Sequence, residues 1–353
     1  MGTFIALLVL SVLIFFHELG HFTAARYFGV KVEVFSIGFG KKVYSKKIGN
    51  TLWSISAIPL GGYVKMKGQD DTDPTKTSYD IDSYNTKKPW QRIVILFAGP
   101  FANFLIAFLL YFAIAMMGVP KLLPYVGQVE KNTPAYEANL SKNDKLLQIN
   151  GNTIQYWEDI GKYINQNSND DMTLIIERAH KNVTLRLTPK RIEDTNMFGE
   201  KITRRIIGIG PLGKKTVTHL GLGDSLYYAW EETKKASTLI VKSIQKLLTG
   251  EVDSKQVGGV ISIVNVTAQA SHAGIVALFF FTALISVNLG VLNLLPIPAL
   301  DGGHIIFNLY EMLTGRKPNE RVMLYMTIFG WVLLISLMVL GLYNDINRLW
   351  EHK

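Results

Sequence analysis

Phe4-Ile-Ala-Leu-Leu-Val-Leu-Ser-Val-Leu-Ile-Phe-Phe-His17-Glu18-Leu-Gly-His21-Phe-Thr-Ala-Ala25 is a run of apolar residues interrupted by two histidines and one glutamate. About 20 such residues cross a bilayer as a helix. The run has neither a basic flank before it nor a small-residue cleavage site, so it reads as a retained span rather than a secretory leader. On a helix, His17 and His21 fall four residues apart on one face, and Glu18 sits beside them. Placing these groups among Leu, Ile and Phe costs several kcal/mol unless partners are present, which marks them as functional.

Three further stretches have similar length and character: Ile93 to Gly118, Ala273 to Leu295 and Met323 to Tyr343. The expected fold is therefore a polytopic α-helical membrane protein with four transmembrane helices. Its divisions are 1–118 (two spans and a β region), 119–192 (a soluble module), 193–272 (a linker with an amphipathic helix) and 273–353 (two spans). The chain has no cysteine, which excludes disulfides, thiolate ligands and cysteine nucleophiles. Its formal charge of +9 is spread along the chain rather than gathered in a patch, so no nucleic-acid partner is expected. The lysines and arginines between Arg26 and Arg92, with Arg316, Lys317 and Arg321, put those short loops in the cytoplasm by the positive-inside rule. The segment from Val119 to His272 then lies on the opposite side.

After the first span, Val34 to Phe39 and Leu52 to Met66 read as short strands joined by a hairpin turn at Ile48 to Thr51. Pro59, Gly61 and Gly62 mark a bend, and an exposed sheet edge is expected around Ile55 to Leu60. Gln69 to Asn85, rich in Asp, Ser and Thr, reads as a loop. Gly99, Pro100 and Asn103 stand out in the second span as a place for close packing or a polar contact. Asp224 to Leu248 has the apolar spacing of an amphipathic helix, lying on the membrane surface or packing on the module.

The module has strand candidates at Val126 to Val129, Lys145 to Ile149, Met172 to Arg178 and Val183 to Leu187, and short helices at Ala135 to Asn139 and Trp157 to Asn165. The segment Asn132 to Gly151, a small helix followed by a turn and a strand ending in Asn-Gly, resembles the PDZ pattern. Asn139 and Asn143 stand where that pattern usually has glycine, and asparagine tolerates the same left-handed turns. The likeness implies an inserted α+β PDZ domain that takes a peptide or chain end.

His17-Glu18-Leu-Gly-His21 is the His-Glu-x-x-His pattern, in which two imidazoles reach one zinc ion and the glutamate serves as general base. A bound zinc ion would activate water and polarise a carbonyl. Catalytic zinc needs a third protein ligand. Asp301 is the best candidate, because Pro296 and Pro298 interrupt a membrane helix just before it and Gly302-Gly303 permits close backbone approach. Read alone, Asp301 is also a helix N-cap, and His304, one turn on, competes for the ligand role.

The whole set, His17-Glu18-x-x-His21, Gly61-Gly62-Tyr63-Val64-Lys65, Gly99-Pro100 with Asn103, the PDZ-like module and Asn293-Leu-Leu-Pro-Ile-Pro-Ala-Leu-Asp301-Gly302, resembles the site-2 protease family of intramembrane zinc metalloproteases, in its bacterial RseP-like branch. The resemblance implies that Asp301 completes the zinc site and that Asn288 and Asn293 hold substrate backbone. It implies transmembrane substrates such as anti-sigma factors or remnant signal peptides, and a bacterial cytoplasmic membrane. Members often carry two PDZ modules, whereas this chain has one. Two other classes compete: a membrane scaffold with an inert zinc motif, and an ion transporter, which would show internal repeats that this sequence lacks.

Overall fold

A computed structural model describes residues 2–69, 78–166, 171–195 and 201–351. The chain divides into two compact units, 1–114 with 224–353, and 115–223.

The first unit opens with α1 (Gly2–Tyr27), which carries the His-Glu-x-x-His residues in its second half. It ends at Tyr27, where Gly29 takes a left-handed φ of 70° and turns the chain into β1 (Val32–Ile48). β2 (Thr51–Met66) returns antiparallel through the expected two-residue turn. These are not short strands but two long ones that fold over. Val34, Phe35, Ser36 and Ile37 pair with Leu52, Trp53, Ser54 and Ile55 on one side and with Lys65, Val64, Tyr63 and Gly62 on the other. Tyr44 to Ile48 pair in turn with Ile55 to Thr51.

Ile55 is therefore interior to the sheet, between Ile37 and Tyr44. The edge expected around Ile55 to Leu60 falls instead on 61–66, because the bend at Pro59 carries the chain back to the far side of Val34 to Ile37. Phe35 stacks on Trp53, and both meet Phe22 of α1 edge-on. Val32, Phe35, Val64, Met66 and Ala25 share one buried cluster with Ile95 and Leu96. That cluster fixes the sheet against the half of α1 that bears the motif.

The loop reading over Gln69 to Asn85 agrees with the described part, 78–85; residues 70–77 lie outside the described residues. Lys67 ties this loop back to the sheet through ion pairs with Asp80 (2.8 Å) and Asp82 (2.7 Å). α2 (Pro89–Met117) follows, with Pro100 inside it.

The second unit comprises β3 (Val119–Leu122), β4 (Val126–Val129), α3 (Pro134–Glu137), β5 (Lys145–Ile149), β6 (Asn152–Thr153), α4 (Trp157–Gln166), β7 (Met172–Arg178), β8 (Lys181–Leu187), β9 (Lys190–Thr195), β10 (Lys201–Ile206), β11 (Ile209–Pro211) and β12 (Lys215–Thr218). Four strands form a sheet in the order β6-β5-β7-β8, and its apolar face buries Leu146, Ile149, Leu174 and Ile176 with Ile160 and Ile164 of α4. Asn139 and Asn143 adopt φ of 58° and 75°, the left-handed turns expected of them. The unit extends past the 119–192 read from sequence, to Gly223. β11 pairs with β4, β12 pairs with β3, and Ile207 enters the core, so residues given to a linker belong to the module.

The first unit resumes with α5 (Leu222–Leu248), α6 (Val260–His272), α7 (Ile275–Asn293), α8 (Asp301–Thr314) and α9 (Glu320–Glu351). α5 has the expected amphipathic pattern but packs against the apolar helices: Ala229 and Ala236 are buried with Tyr111 of α2 and Val287 of α7. α6, within the stretch 193–272 expected to be a linker, lies against α1; a β-carbon on Gly2 would stand 2.7 Å from Ala268 Cβ. Among the described residues, four helices (α1, α2, α7 and α9) are long and apolar enough to cross a membrane; the first three begin and end within four residues of their expected spans, and α9 runs eight residues beyond Tyr343.

Candidate metal centre

The spacing of four residues in α1 aims both imidazoles at one point. His17 Nε2 and His21 Nε2 are 3.2 Å apart. Asp301 Oδ2 completes a near-equilateral triangle at 3.4 Å from each nitrogen. Ligands held about 2.0–2.2 Å from a tetrahedral zinc stand about 3.3–3.6 Å from one another, so the three atoms have the spacing that zinc requires. Asp301 Oδ2 is buried and accepts no hydrogen bond, an orphan that a cation would satisfy. His21 Nδ1 faces the Ile95 carbonyl at 2.8 Å. That carbonyl only accepts, so the Nδ1 proton is held there and the Nε2 lone pair is free to ligate.

Asp301 is the first residue of α8, and the capping position before it is Leu300, with no side-chain cap. The carboxylate is thus turned away from the helix terminus and towards the histidines, which removes the N-cap alternative. His304 sits one turn on and lies outside the triangle; among the described residues only His17, His21 and Asp301 cluster with metal-ligand spacing.

Close helix approach brings the triangle together. A β-carbon on Gly20 would stand 2.2 Å from the Ala98 carbonyl oxygen, so the residue just before His21 must be glycine for α2 to lie against α1. Asp301 reaches the site because residues 294–300 break the helical path at Pro296 and Pro298 and α8 starts afresh at Asp301. Arg92 at the start of α2 pairs with Glu311 on α8 at 2.7 Å, and both side chains are largely buried. This pair, which no motif announces, fixes α8 against α2.

The triangle opens into a cavity of about 420 Å³. Glu18 lines it, next to Gly62 of the edge strand: a β-carbon on Gly62 would stand 3.1 Å from Glu18 Cγ. Tyr63, Val64 and Lys65 continue the wall, and no strand among the described residues pairs with the outer edge of 61–66. Asn293 also lines the cavity; Asn288, earlier in α7 and half-buried, lies outside that lining. Trp331 of α9 closes one side. Neither Trp331 nor the edge position of 61–66 is visible in the sequence, since an aromatic in an apolar span and a Gly-rich strand are both common.

A buried His-His-carboxylate triangle with a glutamate beside it, on apolar helices, defines the metal-dependent hydrolase class. The sequence profile of Peptidase family M50 matches residues 5–337, and the chain belongs to that family of zinc metalloproteases. It is 49% identical to a Campylobacter jejuni protein with a zinc-metalloprotease name, over 97% of this chain and 92% of the other. A Helicobacter pylori protein of the same description is 42% identical over 98% and 99%. The Regulator of sigma-W protease RasP of Bacillus subtilis is 29% identical over 98% of each chain. Among solved structures, the PDZ domain of an SdrC-like protein from Listeria monocytogenes aligns with 25% of this chain and 84% of that domain, at 22% identity and a TM-score of 0.20.

Proposed function

We propose that the protein is an intramembrane protease whose four apolar helices span a bacterial cytoplasmic membrane and which cuts transmembrane segments of other proteins. The observation that carries this reading is the His17, His21 and Asp301 triangle, which joins α1, a helix apolar enough to cross the bilayer, to the start of α8 and opens to a cavity beside a strand edge that no described strand pairs.

His17, His21 and Asp301 would hold zinc. A zinc ion bound there supplies a Lewis acid and lowers the pKa of water towards neutrality. Glu18 takes the proton from the attacking water and passes it to the leaving amine. A transmembrane helix hides its peptide bonds, so the substrate unwinds locally and adds as a strand to 61–66, which has backbone groups to offer. Asn293, on the cavity wall, hydrogen-bonds the extended backbone, with Asn288 further along α7. The module, placed outside the cytoplasm by the charge of the loops, holds back substrates with bulky external domains. The name of the Bacillus relative supports a role in sigma-factor regulation.

The test uses purified wild type and Glu18→Gln in detergent, assayed for zinc and for cutting of a model transmembrane substrate. Zinc in both with cleavage only in wild type is expected. Zinc in neither, or cleavage in both, sinks the proposal and favours the scaffold.

A further inference from the structure

α2 grips both histidines from outside the ligand triangle. Ile95 holds His21 through a backbone carbonyl, and eight residues on, two helical turns away, Asn103 meets His17. The Asn103 amide lies 3.1 Å from His17 Nδ1. Asn103 is fully buried, and its Oδ1 accepts no hydrogen bond. Its backbone carbonyl accepts from Ser286 Oγ of α7 at 2.7 Å, which pins this turn of α2.

An asparagine amide has nearly the same shape in its two orientations, and its partners decide between them. NH₂ against Nδ1 suits only an imidazole that accepts at Nδ1 and carries its proton on Nε2, the atom aimed at His21 Nε2 and Asp301 Oδ2; that proton would block ligation, and Nδ1 would have none to offer the Gly99 backbone carbonyl, which also faces His17. With Oδ1 against Nδ1, the imidazole donates there, Oδ1 gains the partner it lacks, and the Nε2 lone pair faces the centre. The second arrangement makes His17 match His21, whose Nδ1 proton already goes to a carbonyl.

We infer that Asn103 is a positioning residue, its Oδ1 accepting the His17 Nδ1 proton and so keeping His17 in the one tautomer that can bind metal. The inference rests on the reading of His17, His21 and Asp301 as zinc ligands. It accounts for a polar side chain deep inside an apolar helix, where burial without a purpose is costly. Outer partners of this kind are worth about 10–100-fold in metal affinity.

The test compares full-length wild type, Asn103→Leu and Asn103→Asp in detergent. Zinc affinity is read by competition with a chromophoric chelator, and the imidazole tautomers of metal-free wild type by ¹⁵N chemical shifts. Asn103→Leu, similar in volume but without an acceptor, is expected to bind zinc about 10–100-fold more weakly. Asn103→Asp, which can only accept, should stay within a few-fold of wild type. Metal-free His17 should carry its proton on Nδ1, a readout that stands even where the leucine variant does not fold. Wild-type affinity in Asn103→Leu, a loss in Asn103→Asp as deep as that in leucine, or an Nε2 proton on His17 would overturn the inference while leaving the zinc site intact. Folded wild type that binds no zinc would overturn the site itself.

Discussion

Gly99 on α2 lies so close to His21 on α1 that a β-carbon built on it would stand 2.2 Å from the imidazole Nε2. Three atoms of that ring would come within 2.7 Å, so no side chain fits there without moving the ligand. Gly99→Ala should therefore lower zinc affinity at least about tenfold, because a ring pushed aside no longer meets His17 and Asp301. Gly161→Ala, in open space on α4, is the control; it should keep zinc and gain about 0.5–1 kcal/mol of stability. Equal zinc binding in the two variants would show that the α1–α2 contact is not what sets the ligand geometry.

Substrate addition to 61–66 predicts a periodic proline effect. Successive backbone N–H groups of a strand point to opposite edges, and proline removes one of them. Across Gly62, Tyr63, Val64 and Lys65, two alternate proline variants should lose most cleavage while keeping the fold and zinc. The other two should loosen the pairing with Val34 to Ile37. Uniform cleavage across the four folded variants would exclude strand addition at this edge.

Loop 78–86 should loosen in acid. Hydrogen bonds from Lys67 hold the Asp80 and Asp82 carboxyls below their ordinary range, and the same bonds raise Lys67. Carboxylates depressed in the folded state stabilise it above their unfolded value, and that contribution is lost as the pH falls through the lower folded one. Hydrogen exchange at the Tyr84 amide, which donates to the Lys67 carbonyl at 2.8 Å, should show constant protection from about pH 5 to 8 and less below about pH 4. In Lys67→Met that acid dependence should disappear.

Asp345, near the end of α9, caps α6 from another helix. Its carboxylate accepts from the Gly259 and Ser262 amides, each at 3.0 Å, and from the Ser262 hydroxyl. Gly259, at the capping position of α6, has no side chain to do this. Asp345→Ala should cost about 1–2 kcal/mol, read as a lower unfolding temperature in detergent, and Asp345→Asn should recover part of it. Because α6 packs on α1, the alanine variant should also speed exchange in the first half of α1.

Much of this molecule is written locally. The four apolar helices are legible because each carries an apolar run of the required length, and the histidine pair because a helix repeats nearly every four residues. Strands and turns of the module are legible where period-two patterning and Asn-rich turns coincide. Asp301 could be nominated from the interrupted helix before it, but a carboxylate at a helix start has two ordinary uses. Sequence leaves both open, and only the 3.4 Å approach to both histidines selects one.

What sequence could not determine shares one physical cause: it depends on partners distant along the chain. Ile55 alternates with its neighbours like any edge residue, yet the fold-over of β1 and β2 makes it interior and leaves 61–66 at the cavity. Residues 209–218 are too short and polar to announce strands, and become strands because β4 and β3 offer them backbone partners. The amphipathic pattern of α5 specifies that one face is buried without specifying against what, and the structure sets Ala229 and Ala236 of that face against α2 and α7. Local period and residue chemistry determined the helices, the zinc motif and the class of reaction. Long-range packing decided the approach of Asp301 to the two histidines, the strand edge at the cavity and the polar contacts around the imidazoles, because those energies exist only once the segments meet.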